Sequence, residues 1–346
     1  MLKKTRGLFD EQFRLDKITK QNDPLQKLQM HIDFEMFRKP LMDHFQAGKD
    51  HKQGGRPAFD YLMMFKILIL QRYYNLSDDN TEYAILDRLS FMRFLGLTIS
   101  DRVPDSKTIW NFRNELTKGE LVVRLFEMLD KNLNKNGVIV HKGKMIDASI
   151  AEVPIQRNSR EENDQLKGGQ IPADWKENPN KLKQKDIDAK WVRKGHQDFF
   201  GYKNHIKADT KTKLITGYVV TSANIPDKDV LFDLLNKRDQ NQKLHADSAY
   251  RSEFIEEELK RRKIKSLVHE KGYRHKKLTA RQAEQNRKKS QVRARVEHVF
   301  GFMTNSMNRM YYRSRSYIRM KTTLGLVNIT YNLFRITQLK ANLRMA

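Results

Sequence analysis

The chain has 346 residues, 38% hydrophobic and 32% charged, enough for two domains with a real core and a heavily charged surface. Its formal net charge of +25 and pI near 9.9 imply a polyanionic partner, nucleic acid foremost. The absence of cysteine excludes disulfides, thiolate zinc sites and a cysteine nucleophile.

The start, MLKKTRGLFDEQF, is basic but lacks the apolar run of a signal peptide. Residues 1 to about 135 then read as helical. FDYLMMFKILILQRYYNL is apolar on most sides, as a central bundle helix would be. Lys66 interrupts its apolar run, which is too short to span a bilayer. Ser77 to Asp79 form a turn, and NTEYAILDRLSFMRFLGL continues the helical pattern. In VPDSKTIWNFRNEL, Pro104, Asp105 and Ser106 mark a helix start, with Ile109, Phe112 and Leu116 at helical spacing. A further helix, GELVVRLFEMLDKNLNKNG, ends at Gly137. Lys107, Trp110 and Arg113 on this all-α part suit DNA contact or packing equally.

At Val138 the pattern changes, and VIVHKGKMIDASIAEVP reads as extended. Residues 155 to about 198 are polar and loop-like, broken by Gly168, Gly169, Pro172 and Pro179, and too long for an ordinary connection. GYKNHIKAD and KLITGYVVTSAN read as strands with a turn at DTKTK, and DKDVLFDLLNKRD as a helix from near Asp227. KLHADSAY is a strand, EFIEEELKRRK a helix and KIKSLVHE a strand. A long helix follows from about Thr279 to Asn308, and ITYNLFRITQL adds one more. A hairpin beside parallel strands joined by helices makes a mixed, helix-flanked α/β sheet. The expected division is a helical part, 1–137, for DNA binding and assembly, and an α/β part, 138–346. The second part contains the 155–198 insertion and ends in a basic helical segment. From Lys260 to Ala346 there are 23 Lys and Arg against 3 acids.

Two carboxylates sit where apolar strands end, Asp147 in KMIDASI and Asp247 in KLHADSAYRS. Asp247 alone would be explained as a helix N-cap. In a mixed sheet, however, the first strand and the strand after the first crossover helix are commonly adjacent. That would set both Asp at one level across a cleft, where like charges persist only with a cation between them. Glu297, in SQVRARVEHVFGFM, offers a third ligand. There Val292, Val296, Val299, Phe300, Met303 and Met307 form the packed face, while Arg293, Glu297 and Gly301 share a polar stripe. Taken alone, Glu297 is more simply an exposed partner of Arg293, worth a few tenths of a kcal/mol. Three hard oxygen ligands select Mg²⁺ or Mn²⁺. Two such ions about 4 Å apart would serve an in-line phosphoryl displacement.

GGRPAFDYLMMFKILILQRYYNLSDDNTEYAILDRLSFMRFLGL, PDSKTIWNFRNEL, MIDASIAEVP, GYKNHIKAD, HADSAYRS and VRARVEHVFG follow one another in that order. The series resembles the transposases of bacterial insertion sequences, in the branch numbered as the fifth insertion-sequence family, from about residue 34 to 336. The resemblance implies a ribonuclease-H-like domain with an Asp-Asp-Glu triad at Asp147, Asp247 and Glu297. It implies a DNA transposase that binds terminal inverted repeats, hydrolyses strands at the element's ends and joins the 3′ ends to target DNA. It further implies two Mg²⁺ ions (Mn²⁺ substituting), double-stranded DNA as partner and a homodimer or higher homo-oligomer on DNA. The expected setting is the bacterial cytoplasm, at the nucleoid. Ser290 and Thr304 stand where related transposases often carry Tyr and Lys, and Arg309 is a candidate for the Lys role.

Arg293 is expected to orient Glu297 or hold a phosphate beside the cut. Further DNA contacts are expected at Lys203, Tyr250, Arg251, Lys288 and Lys289. KDIDAKWVRK, Lys185 to Lys194, reads as a solvated loop or a segment that closes over DNA. His141, His205 and His245 lie near strand ends and read as non-ligands. Two other functions fit: a structure-selective Mg²⁺-dependent nuclease on the same fold, and a non-catalytic DNA-binding descendant, hinted at by Thr304.

Overall fold

The computed structural model describes residues 7, 9–47, 57–272, 277–308 and 310–345. Packing divides the chain into Met1–Leu125 with Ile329–Ala346, and Phe126–Asn328. The first division point precedes the cut at 137/138 expected from composition. The chain's end groups with the first unit, the second division falling inside the helix Tyr317–Met345.

The first unit contains helices and no strand among its described residues. Its central helix, Tyr61–Tyr73, buries Leu62, Met64, Phe65, Ile67, Leu68, Ile69 and Leu70. Asp60 caps that helix by accepting from Met63 N at 2.8 Å, and Arg38 ties Asp60 to Glu35. The stretch read as one continuous pattern after Ser77 is two helices, Asp78–Asp87 and Leu89–Leu95. They part at Arg88, which takes extended backbone angles (φ −113°, ψ 111°). Asp105 caps Ser106–Lys118. From that helix Arg113 donates to both carboxylate oxygens of Asp78 at 2.6 and 2.7 Å, while Lys107 and Trp110 remain exposed.

The second unit is built on a mixed sheet: β1 Lys144–Glu152, β2 Lys190–Lys194, β3 Gln197–Asp209, β4 Ile215–Ser222, β5 Lys243–His245 and β6 Lys265–Ser266. The order is β2-β3-β1-β5-β6, with β4 also paired to β3. β3 is antiparallel to β1, β2 and β4, whereas β5 is parallel to β1 and to β6. Successive side chains on a strand face opposite sides. Ile146 therefore points to one face, where it joins a core with Leu231, Leu244, Ala246, Tyr250, Ile255 and Leu259. Lys207, its partner on β3, points the same way and is buried against Asp239 at 2.6 Å. Met145, Asp147 and Ser149 point to the other face, where Ser149 meets Met310 and Asp147 meets Arg293.

Residues 155–198 are folded, which corrects the loop-like reading. They form helices Arg160–Lys167, Ala173–Glu177 and Pro179–Gln184, followed by β2. The residues taken as breakers delimit these helices instead: Pro179 opens one and Gly168 closes another. Trp175 is fully buried and donates from Nε1 to Glu162 Oε1 at 2.7 Å. Glu162 also completes a capping box with Ser159 and accepts from Lys181. KDIDAKWVRK is accordingly not a solvated loop, since its second half is β2.

The long helix expected from about Thr279 to Asn308 is interrupted at Ala294 (φ −53°, ψ −14°), giving Ala280–Arg293, Arg295–Gly301 and a π-turn at Phe302–Ser306. Val296, Val299, Phe300, Met303 and Met307 are buried as expected, whereas Val292, ahead of the break at Ala294, is only half-buried.

Candidate active site

The parallel pairing of β1 with β5 sets Met145 beside His245. Asp147 and Asp247 each lie two residues beyond that pair, so the strands deliver both to one level. β1 continues past this point alongside β3, but β5 stops at His245. Asp247 then caps the turn Ser248–Tyr250, its Oδ1 accepting from Ala249 N at 2.8 Å. The capping role and the place opposite Asp147 coexist, because the cap uses one carboxylate oxygen.

Asp147 is largely buried. Its Oδ1 accepts from Ala148 N at 2.9 Å, and its Oδ2 accepts from Arg293 Nη1 at 3.0 Å. Burial pushes its pKa up to about 6; the Ala148 N–H and Arg293 oppose the rise, and the charges of Asp247 and Glu297 add to it. Arg293 also lies 3.6 Å, from Nη2, from Glu297 Oε1, and the Glu297 side chain is 60% exposed. One guanidinium thus touches two of the three acids.

Among the described residues, no group of three His, Asp or Glu side chains is placed to hold a metal ion. The cation between Asp147 and Glu297 is Arg293 itself. The donor set is nonetheless hard oxygen, and Asp147 holds its proton unusually tightly, chiefly because it is buried and secondarily because Asp247 and Glu297 lie near. That chemistry fits a hard divalent cation.

Four of the residues expected at DNA are committed to the fold. Tyr250 is 0% exposed, inside the apolar core. Lys203 projects to the face opposite Asp147 and donates to Asp227 Oδ1 and the Ile225 carbonyl, both at 2.8 Å. Arg251 bridges Glu256 at 3.2 Å and Glu270 at 3.1 Å. Lys289 donates to Val268 O at 2.7 Å and lies near Glu270. Lys288 is 71% exposed, only 3.6 Å from Glu284, and Arg309 lies outside the described residues. Partners such as Asp227 and Glu270 lie too far along the chain to be found from local pattern. His205 and His245 are buried, which pushes both imidazoles well below their ordinary pKa, and burial lowers that of His141 as well. Ser290 contacts His269, and Thr304 donates to the Phe300 carbonyl at 2.9 Å.

Residues 145–333 match the model of a family described as the transposase DDE domain, and residues 13–115 match one described as a transposase domain of unknown function. Two solved structures are similar at low identity. One is the cryo-EM structure of a piggyBac transposase synaptic complex with hairpin DNA. It is 12% identical with a TM-score of 0.48, covering 93% of this chain and 76% of that one. The other is the crystal structure of a pre-cleavage Mos1 transpososome, 11% identical with a TM-score of 0.26, covering 96% of each chain. No helix among the described residues is long and apolar enough to cross a membrane.

Proposed function

Since the chain belongs to the transposase DDE domain family, we propose that it is a DNA transposase of the fifth insertion-sequence branch, with Asp147, Asp247 and Glu297 as its catalytic acids. The observation that carries this is the β1–β5 register, which brings Asp147 and Asp247 level, together with Arg293 touching both Asp147 and Glu297. The sheet is read as a ribonuclease-H-like core. The helical part, 1–137, would serve DNA binding and assembly, and the enzyme would act as a homodimer or larger homo-oligomer. Its substrates would be the element's terminal inverted repeats and a target duplex, where water or a freed 3′-hydroxyl attacks a phosphodiester and the 3′ oxygen leaves.

The three acids would hold two Mg²⁺ ions, or Mn²⁺ in their place. Bound there, they would stabilise charge on the attacking and leaving oxygens. Asp147 would anchor one side, fixed by the strand and by the Ala148 N–H. Arg293 keeps Glu297 beside Asp147 through its two terminal nitrogens. The positive field of the chain would concentrate duplex DNA at the site.

The test is purified protein with cloned element ends, a target plasmid and Mg²⁺. Wild type should cut and join. Asp147→Asn, Asp247→Asn and Glu297→Gln should each abolish both steps while still binding end DNA. Wild-type nicking by any one of them removes that residue from the site. Cutting without joining by the unmodified protein would favour a nuclease.

A further inference from the structure

β3 is longer than its neighbours. Its ladder with β1 ends at Gly201 and with β4 at Tyr202, so Gln197–Phe199 pair in the sheet with β2 alone. β2 and this end of β3 therefore form a two-stranded ribbon running past the sheet. The turn at its tip is Gly195-His196, with Gly195 at φ +64°, a conformation that favours glycine. On one face of the ribbon stand Trp191, 49% exposed, and Arg193, whose side chain is 70% exposed. Lys194 and His196 are exposed at the tip.

The contrast with the other tryptophan of the same region is informative. Trp175 is fully buried and hydrogen-bonded, as a structural indole should be. Trp191 leans on the buried ring of Phe200, with ring centres 5.2 Å apart and planes at 46°, and leaves much of its own surface to solvent. Arg193 has a partner, Asp198 at 3.6 Å, but both are solvent-exposed, and such a pair yields readily to a stronger anion. An open indole beside a guanidinium, with an ammonium at the tip, matches one ligand chemistry: a nucleobase to stack on and the phosphates that flank it. A base inside an intact duplex offers no face for stacking.

We infer that the β2–β3 ribbon is a binding arm for unpaired nucleotides of the DNA substrate, with Trp191 stacking on a base and Arg193 and Lys194 holding the adjoining phosphates. The inference rests on the reading of the chain as a DNA-acting enzyme. Its place in the reaction would be DNA whose pairing is lost next to the cut.

The test uses the full chain with Trp110→Phe, so that exposed indole fluorescence reports Trp191. Two probes of equal length and charge are compared: a fully paired duplex, and the same duplex with a short central run of mismatches. The mismatched probe should quench emission more than the paired one. Trp191→Ala should weaken binding of the mismatched probe by about tenfold or more and of the paired probe by no more than about twofold. Trp191→Phe should recover much of the loss, and an unchanged thermal melt would exclude unfolding. Equal weakening on both probes, or none on either, overturns the arm. Binding of both probes with no preference in wild type also overturns it while leaving the transposase reading intact. If wild type binds neither probe, both readings fall.

Discussion

Two groups of charged side chains in the second unit are balanced differently. On one face of the sheet Lys207 meets Asp239 at 2.6 Å, one cation to one anion, and Asp239 also accepts from Asn236 N at 2.8 Å. On the other face Asp147 shares one guanidinium with Glu297, while Asp247 adds a third negative charge nearby. The first arrangement is what folding alone selects, because a buried ion left single costs several kcal/mol. The second leaves negative charge in excess where β1 and β5 part. That imbalance is what the proposed divalent-cation site would draw on.

Breaking the balanced pair should produce the largest effect. Asp239→Ala strands a buried ammonium and should cost about 3–5 kcal/mol in urea unfolding. Replacing both members with apolar residues of similar volume should restore most of that loss. If Asp239→Ala unfolds at the wild-type midpoint, Lys207 reaches solvent and the contrast between the two groups disappears.

Next in size is Arg293, the cation that touches both Asp147 and Glu297. Paired with Glu297 merely as a helix-surface contact it would matter by about 0.3–0.5 kcal/mol. Positioning two catalytic acids should matter far more: Arg293→Ala should fold, bind end DNA and cleave about a hundredfold more slowly. Arg293→Lys should recover only part, since an ammonium cannot span two carboxylates as the guanidinium fork does. Cleavage by Arg293→Ala within about threefold of wild type would leave Arg293 as a surface pair only.

How much of this was legible in the sequence depended on the range of the interaction. The apolar run before Asp247 announced a strand end, whereas the one before Asp147 did not, since β1 runs on to Glu152 alongside β3. The crossover rule nonetheless placed the two strands side by side. The packed face from Val296 to Met307 followed from helical period. β2 was not legible, because KWVRK has little apolar content and owes its strand form to pairing with β3. The three short helices before it were hidden by Gly168 and Pro179, which punctuate helices as often as they forbid them. The break at Ala294 carried no signal, alanine being the best helix former. Lys203 and Lys289 looked available for DNA because their partners lie about twenty residues away, and so did Arg251, whose second partner Glu270 is equally remote.

A smaller effect is the pH dependence of the acidic face. The folded value of about 6 for Asp147 lies above the roughly 3.9 of an unfolded Asp. Below about pH 4 both states hold the proton, and the shift costs nothing. As pH rises from about 4 to 6 the unfolded chain ionises first, so stability falls, and it stays lower above that range. The loss should be about 1–3 kcal/mol in chelator-treated protein. Asp147→Asn should not show it, and should therefore gain on wild type between about pH 4 and 7. Parallel stability profiles for the two proteins would mean that Asp147 is better compensated than its surroundings indicate.

The smallest effect lies at the surface, where two neighbouring lysines differ as those two groups do. Lys289 is spent on the Val268 carbonyl and Glu270, whereas Lys288 is 71% exposed and lies 3.6 Å from Glu284. If Lys288 neutralises one phosphate, Lys288→Ala should lower the slope of log affinity against log salt by about 0.9 on duplex DNA. Its effect on stability should be under about 0.5 kcal/mol, as for other exposed changes. Lys289→Ala should do the reverse, leaving the slope unchanged and destabilising the fold, because the Val268 carbonyl loses its donor. Titrations of both variants at several salt concentrations, with urea melts alongside, separate the two roles. Equal slopes for Lys288→Ala and wild type would mean that this stretch of the basic helix does not meet the DNA backbone.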